Sequence, residues 1–256
     1  MSNKSELDKC VVRHSPSTGP SSPNVWGIYE PDTGSIQYIC ADPETREAAL
    51  IDVVLNFDPA GFALDTSSMD QVLGLVKENN LTVTWVLDTH PHADHVMASS
   101  RLKKHTGAPN AIGVKVKEIA ELWREIYHTP DAFDPDRDFD RLFQDGDTFK
   151  IGSLEVSVML SVGHTLGSIS YICGDAIFAH DTFMQPDSGT ARADFPGGST
   201  EELWNSLQKI LALPGNTRVF VGHDYGSKDR NEPEWEATVD EHKAHNIHVK
   251  DGTKKE

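Results

Sequence analysis

The sequence of 256 residues predicts an α/β fold, because short β-type runs alternate along it with segments of helical periodicity. Apolar residues make up 38% of the chain and charged residues 25%, which is ordinary composition for a globular protein. Several of the apolar runs are followed within a few residues by histidine or aspartate, and α/β folds commonly place their sites at the ends of strands. We therefore expect an ordered α/β domain with a functional site at one edge of its sheet.

The chain divides into a central domain with a polar segment at each end. Residues 1–23 are polar and include SPSTGPSSP, which predicts a flexible leader of little regular structure. Residues 24–246 are predicted to form a single domain, and residues 247–256 a polar tail.

Three short β-type runs open the domain at 25–29, 36–41 and 48–53. The turn sequences PDTG and DPET separate these runs, which predicts a hairpin-rich sheet. A helix is predicted over 68–79, and a buried strand over 81–89 that ends in an Asp and a Thr.

The second half of the domain continues the alternation. Apolar spacing predicts an amphipathic helix over 115–127, and the acidic residues after it predict a surface excursion over 128–147. A capping sequence, Ser-Thr-Glu-Glu, begins a helix predicted over 199–213. Four further strands are predicted at 154–160, 168–173, 176–179 and 217–221.

Charge and composition exclude several function classes. The formal net charge of −17 disfavours nucleic acids and anionic membrane surfaces as partners. The sequence contains no run of about 18 apolar residues and no apolar stretch near its N-terminus, so we expect a cytoplasmic protein. Cys10, Cys40 and Cys173 are odd in number and have no paired spacing, which argues against a disulfide framework.

Four potential metal ligands occupy six positions directly after the strand predicted at 81–89: His90, His92, Asp94 and His95. Imidazoles and carboxylates are ligands for Zn, Fe and Mn. In extended backbone, His90 and His92 project together while Asp94 and His95 turn to another side, so one motif can serve two adjacent metal positions. A polar loop with incidental histidines is the competing interpretation, and four ligands within six residues disfavour it.

Three more candidate ligands arrive later, each shortly after a predicted strand: His164, Asp181 and His223. A single histidine in such a setting more often packs against its neighbours than binds a metal. Three of these positions together with the HPHADH motif predict a metal centre.

The order HxHxDH, His, Asp, His resembles the metallo-β-lactamase superfamily over roughly residues 25–225. The resemblance implies a four-layer αβ/βα sandwich, in which two sheets lie back to back with metals at one edge. It also implies two sets of ligands bridged by Asp181 in a two-metal member: His90, His92 and His164 on one ion, and Asp94, His95 and His223 on the other. Water held between two cations becomes a nucleophile for hydrolysis.

The motifs THPHADH, GHTxGS, ARADF and GHDY are similar to the persulfide dioxygenase branch of that superfamily. This resemblance implies one Fe(II) per chain, held by His90, His164 and Asp181 as a facial triad that leaves positions open for substrate sulfur and O₂. It implies oxidation of glutathione persulfide by O₂ to sulfite and glutathione. Arg192, in ARADF, would bind the glutathione part through a charge-assisted hydrogen bond.

Other residues in or beside these motifs complete the candidate site. The catalytic candidates are Asp94, Arg192 and Tyr225, and the substrate-binding candidates are Arg192, Thr182 and Tyr225. The sequence departs from the family at His180, where many members carry glycine.

Relatives of this kind often form homodimers, and many act beside sulfurtransferase domains. We therefore expect a homodimer and a sulfurtransferase partner for this chain.

The alternative function is a two-zinc hydrolase of glutathione thioesters, similar to glyoxalase II. That family appends a helical glutathione-binding domain, which we do not expect in the 33 residues that follow His223. A metal-binding module without catalysis is disfavoured by the complete ligand set.

Overall fold

The computed structural model describes Leu7 and residues 9–250. Its strands are β1 (Val11–Ser15), β2 (Asn24–Glu30), β3 (Ser35–Ala41), β4 (Glu47–Ile51), β5 (Val54–Asp58), β6 (Ala63–Asp65), β7 (Thr82–Leu87), β8 (Val96–Met97), β9 (Asn110–Gly113), β10 (Arg141–Phe143), β11 (Thr148–Ile151), β12 (Leu154–Leu160), β13 (Ile169–Cys173), β14 (Ala176–His180), β15 (Arg218–Val221) and β16 (Glu236–Thr238). Its helices are α1 (Ser67–Glu78), α2 (Ser99–Thr106), α3 (Val116–Tyr127), α4 (Pro135–Asp138), α5 (Thr200–Leu211) and α6 (Val239–His245).

Two large sheets organise these elements. The first has seven strands in the order β1-β2-β3-β4-β7-β9-β10, and the second has six in the order β11-β12-β13-β14-β15-β16. A small sheet of β6, β5 and β8 lies beside the first metal-binding motif, since β8 begins directly after it. The pairs β4 with β7, β7 with β9, and β14 with β15 are parallel, so their carboxyl ends meet at a common edge.

The two large sheets pack face to face through aromatic side chains. The ring of Tyr38 on the first sheet lies 5.3 Å from that of Phe178 and 5.5 Å from that of Phe220, both on the second sheet. Helices α1 and α2 bury their apolar residues against the first sheet, and α5 joins the cluster formed with the second. This arrangement of helix, sheet, sheet and helix confirms the four-layer sandwich expected from the sequence.

Hydrogen bonds between the two sheets fix the edge where the candidate ligands lie. Ile36 N donates to the carbonyl of Gly222 over 2.8 Å, and Asp224 N donates to the carbonyl of Gly34 over 2.9 Å. The Tyr171 hydroxyl donates to the carbonyl of Asp88 over 2.9 Å. Loops that belong to different sheets are thereby held together.

Most strongly patterned elements lie where the sequence predicts them. The strand at 154–160 has the predicted bounds, and the helices at 68–79, 115–127 and 199–213 are each observed within two residues of them. Helix α2 was not predicted. Its sequence, SSRLKKHT, has a single buried apolar side chain, that of Leu102, and one such residue cannot show a helical period. Strand β9 has only four residues, too few to show a period.

The prediction of a flexible leader over residues 1–23 is wrong for residues 11–15, which form strand β1. Strand β1 pairs antiparallel with β2, and Arg218 donates to the carbonyl of Pro23 over 3.1 Å. The sequence gives no sign of this strand, because β1 is an edge strand whose three middle residues are exposed. Residues 1–6 and 8 lie outside the described part of the chain.

Two other segments are also more ordered than predicted. Within the acidic segment 128–147, β10 pairs parallel with β9 and buries Phe143. Within the predicted tail, Val249 packs into the main core, while residues 251–256 lie outside the described residues. A single apolar side chain in a polar stretch is too weak a pattern to reveal such packing.

The three cysteines are free, with Cys40 and Cys173 buried in the core and Cys10 exposed, so no disulfide is formed. Among the described residues, no helix has both the length and the apolar character required to cross a bilayer.

The buried imidazole of His242 makes the stability of the fold sensitive to acid. Its ring packs 4.4 Å from that of Phe183, and burial lowers its pKa to about 4. Between pH 6.5 and 4 the unfolded chain takes up a proton that the folded chain resists, so the free energy of unfolding should fall as the pH drops through this window.

We predict that this histidine contributes about 2–3 kcal/mol to the loss of stability between pH 7 and 4.5. Urea unfolding of the wild type and of His242→Leu at both pH values measures that contribution as the difference between the two losses. His245→Ala, which alters an exposed histidine of the same helix, should lose as much stability as the wild type. An equal loss in His242→Leu would contradict the prediction.

Candidate metal centre

The candidate ligands converge because each follows a strand that ends at the same edge of the sandwich. His90 comes three residues after the end of β7, Asp181 comes directly after β14, and His223 comes two residues after β15. His164 follows β12, whose partner β13 returns past the first motif through a hydrogen bond from Ile169 N to the carbonyl of Thr89.

Two of the candidate ligands, His90 and His164, face one oxygen of Asp181. His90 Nε2 and His164 Nε2 both lie 3.5 Å from Asp181 Oδ2. His164 Nδ1 donates a hydrogen bond of 2.8 Å to the carbonyl of Arg192, which leaves the Nε2 lone pair free. His90 Nδ1 lies 3.1 Å from Thr89 Oγ1, so Nε2 is again the nitrogen directed into the site.

The remaining ligands lie on the other side of Asp181. His223 Nδ1 donates to Asp181 Oδ1 over 2.8 Å, and His223 Nε2 lies 2.8 Å from Asp94 Oδ2. The rings of His92 and His95 stack with their centroids 4.1 Å apart. All seven predicted ligands are therefore brought together.

The local electrostatics favour ionised carboxylates among neutral imidazoles. Burial would raise the pKa of Asp181, but His223 and His180 outweigh burial and hold that pKa well below its usual value. Burial lowers the pKa of His90 and of His92. Because metal ligands must be deprotonated, these shifts produce the state that a cation requires.

The pKa of His223 is shifted in the opposite direction from those of His90 and His92. Burial would lower its pKa, but the carboxylates of Asp181 and Asp94 raise it to about 10. The two carboxylates therefore stabilise positive charge at this position.

Buried polar atoms without partners show that the cluster suits a cation. Both nitrogens of His95 and Nδ1 of His92 are buried and make no hydrogen bond. Such atoms are costly to bury unless they bind something, and imidazole nitrogen is a ligand for Zn and Fe. Donor atoms of His90, His92, His180 and Asp181 lie within 4.8 Å of one another, and so do those of His92, Asp94 and His95, while His164 approaches through Asp181. The residues present fit a metal centre.

Two buried residues beneath the ligands were not among the predicted site residues. Asp52 follows β4, accepts a hydrogen bond of 2.8 Å from Thr89 N, and lies 3.4 Å from His92 Nε2. His180 Nε2 lies 3.4 Å from the other oxygen of Asp52. Asp52 could have been suspected, because it follows a buried strand as the ligands do.

A cavity of about 510 Å³ opens in front of the ligands. Its far wall is apolar and is formed by Ile119, Trp123, Tyr127, Phe133, Leu166 and Phe195. The sequence predicts an amphipathic helix here but no cavity wall, since amphipathic spacing does not distinguish a core-facing side chain from one that lines a cavity. The cavity accommodates an organic substrate beside the metal centre.

The three candidates outside the ligand set have different surroundings. Arg192 lines the cavity but is 65% exposed and forms two hydrogen bonds, of 2.6 and 2.7 Å, with Asp194. Tyr225 also lines the cavity and stacks on His223 with ring centroids 5.7 Å apart. Thr182 is only 1% exposed and does not line the cavity, so its expected contact with substrate is absent from this arrangement.

The sequence model of the metallo-beta-lactamase superfamily matches residues 37–223. The chain therefore belongs to that superfamily, whose fold and ligand order it shares.

Individual relatives carry different names. A beta-lactamase hydrolase-like protein of Xylella fastidiosa is 52% identical over 89% of this chain and 53% of its own length. Glyoxylase B2 of Dictyostelium discoideum is 39% identical over 89% of this chain and 78% of its length. A persulfide dioxygenase of Bos taurus is 29% identical over 77% of this chain and 67% of its length. The chain thus spans only about half of the first relative.

Among solved structures, ETHE1 from Myxococcus xanthus superposes with a TM-score of 0.66 and 29% sequence identity, covering 93% of this chain and 83% of that one. The similarity extends over both sheets, since it includes nearly the whole described chain.

Asp181→Ala should remove metal binding, because both groups of ligands meet at this carboxylate. We expect purified Asp181→Ala to hold less than a tenth of the metal per chain found in the wild type, measured by elemental analysis. Asp131→Ala, which removes an exposed carboxylate away from the cluster, should retain the wild-type content. Wild-type metal content in Asp181→Ala would refute this arrangement.

Proposed function

We propose that the protein is a mononuclear non-haem iron dioxygenase that oxidises glutathione persulfide to sulfite and glutathione. The observation that carries the proposal is the placement of His90 Nε2 and His164 Nε2, each 3.5 Å from Asp181 Oδ2. Two imidazoles and one carboxylate form the facial triad of non-haem iron oxygenases. Similarity to a named persulfide dioxygenase and to ETHE1 supports the same function.

The hydrogen bonds around the triad support one metal rather than two. His90 and His164 have one nitrogen held by the protein and one directed at Asp181 Oδ2. His223, in contrast, has both nitrogens directed at carboxylates. The two histidines of the triad therefore have free lone pairs for a cation. The nitrogens of His223, in the second set of ligands, already contact Asp181 and Asp94.

Fe(II), when bound, supplies the redox chemistry of O₂ and sulfur through the positions that the three ligands leave open. The overall reaction consumes one persulfide, one O₂ and one water and yields one thiol, one sulfite and two protons. The outer sulfur is oxidised, and O₂ is reduced to the oxidation level of the sulfite oxygens.

The chain's own residues orient the substrate and balance its charge. The wall formed by Trp123, Tyr127 and Phe195 offers the substrate an apolar surface beside the metal centre. His223 also lines the cavity, beside the metal centre. Arg192 lies at the same cavity, where its guanidinium can exchange Asp194 for a glutathione carboxylate.

The second candidate is a two-metal hydrolase of glutathione thioesters. The observation that favours it is His95, whose two buried nitrogens have no hydrogen-bond partner and therefore suit a second cation. The similarity to a glyoxylase also supports it. Asp94, as catalytic candidate, would then ligate the second ion.

Three further sequence-based predictions belong to this proposal. These are a cytoplasmic location, a homodimer, and a sulfurtransferase partner that would supply persulfide. The greater length of the Xylella fastidiosa relative is compatible with a linked partner domain.

Metal content and two activities distinguish the candidates. Protein prepared anaerobically with Fe(II) should hold one iron per chain and consume one O₂ for each sulfite formed from glutathione persulfide. The zinc-loaded protein should hydrolyse S-lactoylglutathione much more slowly than the iron-loaded protein oxidises glutathione persulfide. Two metals per chain with thioester hydrolysis and no O₂ uptake would replace this proposal with the hydrolase.

Arg192→Ala should weaken the use of substrate without loss of iron. Because the guanidinium is largely exposed and already paired, we expect kcat/KM for glutathione persulfide to fall only about 5- to 30-fold. Arg137→Ala is the matched control, since Arg137 is also exposed and paired with an adjacent carboxylate, that of Asp138, but lies outside the cavity lining. An unchanged kcat/KM in Arg192→Ala would remove this residue from the substrate site.

A further inference from the structure

The cavity in front of the metal centre has little charge with which to bind the organic part of a substrate. Among the described residues that line it, Arg192 is the one charged side chain outside the candidate ligands, and it is already paired with Asp194. Glutathione carries two carboxylates and one ammonium group at neutral pH. The lining therefore offers a charged partner to one of these three groups, and the other two gain nothing from leaving water.

Aromatic side chains on the far wall of the cavity are exposed to solvent. The rings of Trp123 and Tyr127 stack with their centroids 5.3 Å apart and their planes at 18°, and Tyr127 is 62% exposed. Phe133 lines the same wall and is 42% exposed. Large apolar side chains that are exposed together at a cavity indicate a binding surface for an apolar group.

Phe195 extends this apolar wall to the metal centre. Its ring lies edge to face with that of His164, with centroids 5.2 Å apart, and 4.9 Å from the guanidinium carbon of Arg192. An organic group attached to a sulfur at the metal centre therefore lies beside an aromatic surface.

The segment that forms the far wall is itself acidic. Residues 116–138 contain seven acidic and three basic side chains, which gives a net charge of −4 with His128 neutral. Charge of this sign disfavours an anionic organic group beside the wall and has no such effect on an uncharged one.

We propose that the enzyme has a second class of substrate, persulfides whose organic group is apolar and uncharged, and that Trp123 and Tyr127 bind this group. The proposal rests on the dioxygenase chemistry of the proposed function and adds a substrate class to it. The balance is the same, since one persulfide, one O₂ and one water yield one apolar thiol, one sulfite and two protons. Because the organic group does not react, its contacts with the wall determine the preference between substrates.

The test compares sulfite formation from benzyl persulfide and from glutathione persulfide by the Fe(II)-loaded protein. We expect kcat/KM for benzyl persulfide to lie within about tenfold of that for glutathione persulfide, or above it. Trp123→Ala should lower the value for benzyl persulfide roughly 10-fold or more, and that for glutathione persulfide less than about threefold. Ile126→Ala is the matched control, since Ile126 is an exposed apolar residue of the same helix outside the lining, and it should change neither value.

Tyr127→Ala serves as a second variant, because the loss of a mostly exposed side chain does not endanger folding. It should also lower the preference for benzyl persulfide, with the iron content unchanged. A wild-type value for benzyl persulfide more than about tenfold below that for glutathione persulfide overturns the proposal. Equal effects of both variants on the two substrates also overturn it.

Failure of the proposed function gives a separate result. If neither persulfide yields sulfite, the dioxygenase is wrong, and the wall is then tested by the binding of benzyl thiol to the purified protein in isothermal titration calorimetry. Weaker binding to Trp123→Ala and Tyr127→Ala than to the wild type supports an apolar ligand. Equal affinity for the three proteins, or no binding to the wild type, overturns it.

Discussion

The carboxylate of Asp181 is the point at which the two sheets, the two groups of histidines and the local charges meet. It is buried, and the imidazoles of His223 and His180 hold its pKa well below the usual value. Burial of an isolated carboxylate is strongly unfavourable, so this arrangement is stable only when protons or a cation balance the charge. A metal that binds here therefore adds its binding free energy to that of folding.

The rest of the fold can be understood as support for this buried charge. Parallel strands end at one edge of the sandwich, and hydrogen bonds such as Ile36 N to the Gly222 carbonyl join loops from different sheets. Asp52 holds the backbone of Thr89 and, through it, the start of the HPHADH loop. The first ligands are thereby oriented by contacts that do not themselves involve the metal, as is usual for metal sites.

Much of the site could be predicted because its ligands follow strongly apolar strands and form a recognisable order. The ligand positions needed no three-dimensional information beyond the rule that strand ends converge. The cavity wall could not be predicted, since Trp123 and Tyr127 have the same helical spacing as core residues. Asp52 follows a buried strand as the ligands do, so its position near the site could have been predicted, but its contacts with Thr89 and His92 could not.

The fold shows the same division between strong and weak patterns. Long apolar runs such as 154–160 were located within a residue or two, whereas β1 and β10 are short, partly exposed strands whose order depends on pairing with distant segments. The structure of such segments is determined by tertiary contacts, which a local sequence pattern does not show. The contact of Val249 with the core belongs to the same class.

The most direct test of the central claim is the position of iron in crystals grown anaerobically with Fe(II), from anomalous scattering at the iron absorption edge. A single peak at bonding distance from His90 Nε2, His164 Nε2 and Asp181 Oδ2 is the result that we expect. A peak among Asp94, His95 and His223 instead, or two peaks of equal height on either side of Asp181, would contradict a mononuclear centre built on Oδ2.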